Sequence, residues 1–146
     1  MMNLEFIEQL KKELRYDECY NYVMSFMEKG DPEAYYIYAT WCHEGEIVDP
    51  DMSEAIKYYK LAIAQGHELA RETLSNYFIE LGNFSVKYAL EALERDTDED
   101  KRIALKLFQD AKKKFSLAMH YGNTDACDKY FEIFDLLDEY KGDSYV

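Results

Sequence analysis

The sequence predicts an all-α chain of stacked helix pairs, and three observations carry that reading. Gly-x-x-x-Ala occurs three times, as Gly30 with Ala34, Gly66 with Ala70 and Gly122 with Ala126. Each copy follows a helix-like stretch, and four residues beyond each Ala stands a large apolar residue, Tyr38, Leu74 or Tyr130. Gly30 to Gly66 is a 36-residue step, and Gly66 to Gly122 is the same step with about twenty residues inserted. A repeat of about 30 to 45 residues on helical sequence signals a solenoid. Secondly, two Pro and six Gly in 146 residues leave few breaks. Thirdly, no run alternates apolar and polar residues between turn signals in the manner of a strand.

The elements follow in order. Asn3 caps a first helix from Leu4 to about Leu14, with Leu4, Ile7, Leu10 and Leu14 on one side. A second helix runs from about Asp17 to Lys29 and stops at Gly30, a left-handed residue after the helix end. Asp31 caps the third, with Pro32 at its first position, and that helix reaches about His43. Glu44 to Asp51 is an acidic loop. The fourth helix, Met52 to about Gln65, presents Ala55, Ile56, Tyr59, Ala62 and Ile63 on one side and stops at Gly66. A fifth runs from His67 to about Leu81 and is ended or kinked at Gly82-Asn83; a further helix covers Phe84 to Leu93. After a capping turn at Asp96-Thr97-Asp98, a long helix spans Glu99 to about Tyr121. The last runs from Thr124 to about Tyr140, and fraying is expected from Lys141 onward.

Length and apolar content (48%) fit one domain over residues 1–146 with a continuous, aromatic-rich core. The net charge of −13 disfavours nucleic acid, because phosphate contacts need a basic patch and the one basic run is Lys112-Lys113-Lys114. Strong acidity favours attraction to basic partners. Glu5 and Glu8 interrupt the N-terminal apolar residues, and no run is long enough to span a membrane, so a cytoplasmic protein is expected. Cys19, Cys42 and Cys127 read as small core residues in a reducing compartment rather than a disulfide framework.

Between Asp31 and Tyr77 the residues resemble a Sel1-like repeat, a relative of the tetratricopeptide repeat. The match is closest over Ala55-Ile56-Lys57-Tyr58-Tyr59-Lys60-Leu61-Ala62-Ile63-Ala64-Gln65-Gly66-His67, preceded by Gly45-Glu46, Val48 and Asp51. The family usually has a second Gly where Ile47 stands, so a tighter or differently turned loop is expected there. Asp17 to Glu28 resembles the second helix of a degenerate repeat, and Ala111 to Ala126 the end of a later one. The resemblance implies a right-handed α/α solenoid: a degenerate repeat over about 1–30, a clear repeat over about 31–66, a repeat with an insertion over about 67–122, and a terminal helix over about 123–141. Asn83 to Asp110 is the atypical insertion, expected to lengthen or add helix. Ala34, Ala55, Ala62, Ala70, Ala111, Ala118 and Ala126 are expected where helices cross closely, with Tyr59 and Phe115 filling wider gaps. Sel1-like proteins mostly act as adaptors and scaffolds, through the concave side lined by the first helix of each pair. Some relatives are cysteine-rich secreted proteins credited with hydrolase activity; their paired cysteines are absent here.

No catalytic constellation is expected. His43 follows Cys42 directly, and adjacent helical residues face different ways, which disfavours a Cys–His nucleophile. His67 reads as a cap. The acid run from Glu91 to Asp100 lacks the Gly and the final bidentate Glu of a calcium loop and reads as a solvated turn. No metal site or cofactor is expected. On the last helix, Asp125, Asp128, Glu132, Asp135 and Glu139 form one carboxylate stripe beside an apolar stripe of Ala126, Tyr130, Ile133, Phe134 and Leu137. By repeat alignment the equivalent positions are Glu33, Tyr36, Thr40 and His43, then Leu69, Glu72, Asn76 and Ile79. Two readings stand for the stripe: a solvated outer face, or a groove for a basic ligand. The expected binding residues are Tyr36, Thr40, His43, Glu72, Asn76, Asp125, Asp128, Glu132 and Asp135. The expected function is a non-enzymatic acidic inhibitor or immunity-type protein that holds a basic protein partner such as a toxin domain. The rivals are a regulatory adaptor and, less favoured, a hydrolase.

Overall fold

Side-chain caps start most of the helices, and left-handed glycines stop most of them. The structure is a computed structural model that describes residues 1–143, with side chains as far as Glu139. Among the described residues it consists of seven α-helices and no strand: α1 (Leu4–Lys12), α2 (Tyr16–Met27), α3 (Pro32–Glu44), α4 (Met52–Ala64), α5 (Glu68–Glu94), α6 (Asp98–His120) and α7 (Asp125–Asp143). The all-α class read from the repeat spacing is the class found. The Asn3 side chain accepts from the Phe6 amide at 3.1 Å, and Asp31 from the Glu33 and Ala34 amides at 2.9 and 3.4 Å. Asp51 and Thr97 do the same for α4 and α6. Each cap satisfies an amide that the first helical turn leaves without an internal partner.

The three repeated glycines share one stop. Gly30, Gly66 and Gly122 have φ of 77°, 84° and 91°. In each case the glycine amide donates to a carbonyl three residues back and the next amide to one five residues back: Gly66 to Ile63 at 2.9 Å and His67 to Ala62 at 3.1 Å, for instance. This paired bond pattern is the Schellman motif, which requires positive φ after the helix end. A Cβ on Gly66 would meet nothing within 4 Å. Gly66→Val therefore tests the backbone alone and should cost about 1–3 kcal/mol. Chemical denaturation reads it; an unchanged midpoint would mean that the left-handed stop is dispensable.

One expectation is corrected and two are refined. α5 does not end at Gly82-Asn83 but runs unbroken from Glu68 to Glu94, absorbing the separate helix expected at Phe84–Leu93. Gly82 is there for room: a Cβ on it would lie 2.5 Å from Phe115 Cε1. The inserted residues thus lengthen α5 and the start of α6. Secondly, in the loop expected to be tighter or differently turned, Ile47 itself takes a left-handed conformation, at φ 65°. That is strained for a β-branched residue, and Ile47 is anchored by packing against the core formed by Ile7, Leu10, Val23 and Trp41. Thirdly, helix α7 is assigned to Asp143, against an expected end at about Tyr140; of the segment expected to fray, residues 144–146 lie outside the described residues.

The chain divides into two compact units, Met1–Arg71 and Glu72–Val146. In the first, α3 and α4 are antiparallel, since Glu33 meets His67 while Thr40 and His43 meet Tyr59. Its core is Ile7, Leu10, Cys19, Val23, Ala34 and Trp41. In the second, α5 and α6 are antiparallel: Ser75 donates to the Ala118 carbonyl at 3.1 Å, and Ser85 to Asp110 at 2.7 Å. Ala89, Ala92, Phe108, Ala111, Phe115, Ile133 and Leu137 join α5, α6 and α7 in one core. All seven alanines expected at close crossings are fully buried, and so are Tyr59 and Phe115. Small residues there let backbones approach, and the aromatics fill the remaining volume.

Candidate functional site

Tyr59 organises the α3–α4 pair. Its ring is buried, and burial pushes its hydroxyl up to about 12. A buried hydroxyl needs partners, and α3 supplies two, Thr40 Oγ1 at 3.4 Å and His43 Nδ1 at 3.2 Å. Thr40 spends its own proton on the Tyr36 carbonyl at 3.0 Å. The set is satisfied when Tyr59 donates to Thr40 and accepts from His43 Nδ1–H. Tyr36 closes the cluster, its ring 6.0 Å from Tyr59 and stacked on His67 at 4.8 Å. Tyr36, Thr40 and His43, read from sequence as partner-binding, are thus half-buried and tied to the second helix of their own pair. The hydroxyl network around Tyr59 escaped the sequence reading, which took Tyr59 as a space-filling ring.

His67 has the cap role expected of it. Its Nδ1 accepts from the Ala70 amide at 3.0 Å, which leaves Nε2–H to donate to Glu33 Oε2 at 2.7 Å. The end of α4, the start of α5 and the first turn of α3 are joined at this one ring. Beside it, α1 and α3 enclose a groove of about 230 Å³ bounded by Leu4, Glu8, Lys11, Glu33, Tyr36 and Thr40. Burial alone would lower the Lys11 pKa, but Glu46 at 2.5 Å and Glu8 at 3.5 Å outweigh it and hold the ammonium charged.

The carboxylates of α7 are differently placed. Asp125, Asp128, Glu132, Asp135 and Glu139 are all exposed, and none has an ion-pair or hydrogen-bond partner among the described residues. Of the other expected binding residues in this unit, Glu72 is exposed, and Asn76 accepts from Asn123 Nδ2 at 3.4 Å. Asn123 in turn caps α7 through the Ala126 amide at 3.2 Å. Phe134, expected in the apolar stripe, is 46% exposed and its neighbour Phe131 59%, while Ala126, Ile133 and Leu137 are buried. With about 100° of turn per residue, Phe134 stands well round from Ile133.

Residues 32–67 match the Sel1 repeat family. The chain carries a Sel1 repeat. Its two helices are α3 and α4, and its last residue is the capping His67. The chain matches no curated protein and no solved structure. The Sel1 repeat supports a role in protein–protein interaction.

The geometry around the repeat gives little to catalysis. Cys42 is buried, and burial raises its thiol pKa, the opposite of what a nucleophile needs. Its neighbour His43 turns to Tyr59 instead. Cys19 is buried as expected, whereas Cys127 is only half-buried, and all three are free thiols. The acid run before α6 forms a capped turn. The Thr97 hydroxyl and Arg95 both donate to Asp100 and hold its carboxyl below the usual range, and Lys101 reaches Asp96 at 3.5 Å. The basic run is dispersed, with Lys112 resting over the Phe134 ring at 5.0 Å and Lys114 reaching Asp110 at 3.9 Å. Among the described residues no group of three His, Cys, Asp or Glu is placed to hold a metal ion, and no helix is long and apolar enough to cross a membrane.

Proposed function

We propose that this protein is a non-enzymatic binder of a basic protein, and that it works as an inhibitor of the immunity type, covering a basic domain such as that of a toxin. The observation that carries this reading is the row Asp125, Asp128, Glu132, Asp135 and Glu139. Five exposed carboxylates on one side of a helix repel one another, by a few tenths of a kcal/mol (~0.2–0.5) per neighbouring pair. The lysine within residues 125–139, Lys129, rests over the Phe115 ring at 5.9 Å, so the row costs stability unless a partner supplies cations. The net charge of −13 adds long-range attraction for such a partner. The Sel1 repeat supports the coarser part, an interaction role.

Replacing Asp128, Glu132 and Asp135 with Asn, Gln and Asn tests the row. The fold should be intact or slightly more stable, because repulsion is relieved. Association with the native partner should slow at low ionic strength, since steering acts on the on-rate. An unchanged association rate would make the row a solvated face. A second reading, an adaptor for two proteins, is favoured by the groove between α1 and α3, a separate surface with an apolar side at Leu4 and Ile7. An inhibitor gives a tight one-to-one complex; an adaptor gives a ternary one.

A further inference from the structure

Setting Gly122 on Gly30 and Ala126 on Ala34 lays α7 over α3, the first helix of the Sel1 repeat. Cys127, Tyr130, Phe131 and Phe134 then fall on Tyr35, Tyr38, Ala39 and Cys42. In the repeat none of those four positions is open: Tyr35 and Tyr38 lie 5.9 and 4.9 Å from the Tyr58 ring of α4, and Ala39 and Cys42 are buried. On α7 no helix among the described residues takes the place of α4; of the matching side chains Phe131 and Phe134 are open, at 59% and 46%, while Cys127 and Tyr130 are half-buried. The carboxylates continue the correspondence. Asp128, Glu132 and Asp135 fall on Tyr36, Thr40 and His43, the three residues that touch Tyr59 of α4. Lys112 covers the α6 edge of the strip, 5.6 Å from the Tyr130 ring and 5.0 Å from Phe134, so the open side is the one toward the carboxylates.

We infer that α7 takes a basic amphipathic helix of a partner protein, in the position that α4 takes on α3. This deepens the basic-partner reading above and rests on it. Charge complementarity selects the occupant. A helix in that place buries apolar side chains on Phe131 and Phe134 and sets the residue equivalent to Tyr59 against three unpaired carboxylates, so that residue is Arg or Lys. A second copy of this chain would bring acidic row near acidic row, and an anionic membrane would be repelled by it. Phe131 stands where the repeat has the small, fully buried Ala39, so the docked helix carries small residues opposite it; α4 itself buries Ala55 and Ala62. Helix-in-groove recognition of this kind reads apolar anchors spaced three or four residues apart.

The probe is a fluorescein-labelled synthetic peptide with the sequence of residues 51–66 and Tyr59→Arg, followed by anisotropy at low salt. The arginine peptide should bind, and the unsubstituted peptide should bind at least about tenfold more weakly, since the charged contact is missing. Phe131→Asp with Phe134→Asp should abolish binding; both side chains are exposed, so the fold, checked by circular dichroism, should be kept. The Asn, Gln, Asn triple variant should erase the advantage of the arginine peptide. Three results overturn the inference: no binding of the arginine peptide, binding indifferent to the two Phe substitutions, or self-association that the Phe substitutions dissolve while the peptide stays free. If the native partner's association slows in the triple variant but ignores the Phe substitutions, the acidic binding reading stands and the helix-docking inference alone fails.

Discussion

Trp41→Ala is expected to cost roughly 3–5 kcal/mol of folding stability, the usual range for deleting a buried large aromatic. Trp41 is 2% exposed and packs with Ile7, Leu10, Val23 and Ala34, joining α3 to α1 and α2. Its removal leaves a void in a close-packed core, which the surrounding helices fill only in part. The Trp41 carbonyl also accepts from the Gly45 and Glu46 amides at 2.8 and 3.1 Å, which sets the loop after α3. Those bonds survive the substitution, so the loss reports packing. Urea denaturation followed by circular dichroism measures it. Unchanged stability with lost partner binding would make Trp41 a binding hot spot instead.

Gly82→Val is expected to cost about 3 kcal/mol, the upper end for overpacking a full core. The three atoms nearest to an added Cβ are Phe115 ring carbons at 2.5, 2.8 and 2.8 Å. Phe115 is 1% exposed and held in a cluster with Phe108, Ala111 and Ile133, so the ring has no free space to swing into. Gly82→Ala decides the sign. Helix propensity alone predicts a gain of about 1 kcal/mol for replacing a mid-helix Gly by Ala. The Phe115 contact predicts a net loss. Phe115→Leu in the Gly82→Ala background should recover part of that loss, and a double-mutant cycle reads the coupling. Stabilisation by Gly82→Ala would show that α5 and α6 are not packed this closely.

Gly82 also shows what the sequence could not disclose. A lone Gly followed by Asn reads locally as a stop, and the ring that requires it is 33 positions later in the chain. Gly30, Gly66 and Gly122 were legible because their reason is local: each closes its own helix with bonds to the preceding turn. The buried alanines were legible by repetition. Ile47 was not, since its φ is imposed by the loop and held by a core contact rather than favoured by its own chemistry. For the candidate site, the spacing of Asp125, Asp128, Glu132 and Asp135 displayed the row, and the structure leaves it exposed. Tyr36, Thr40 and His43 looked equivalent by alignment, but their exposure depends on whether a second helix covers them, and α4 does. Phe134 reads as core in an amphipathic pattern for the mirror-image reason: no helix among the described residues covers it, and it is 46% exposed.

The central claim, that a basic protein docks on α7, is tested most directly by hydrogen exchange of the native complex read by mass spectrometry. The account predicts slowed exchange of amides across residues 125–139 on binding, because a docked partner suppresses local opening of the helix it covers. Raising the salt concentration should remove the protection as the complex dissociates. Protection confined to other segments, with α7 exchanging as in the free protein, would contradict the claim.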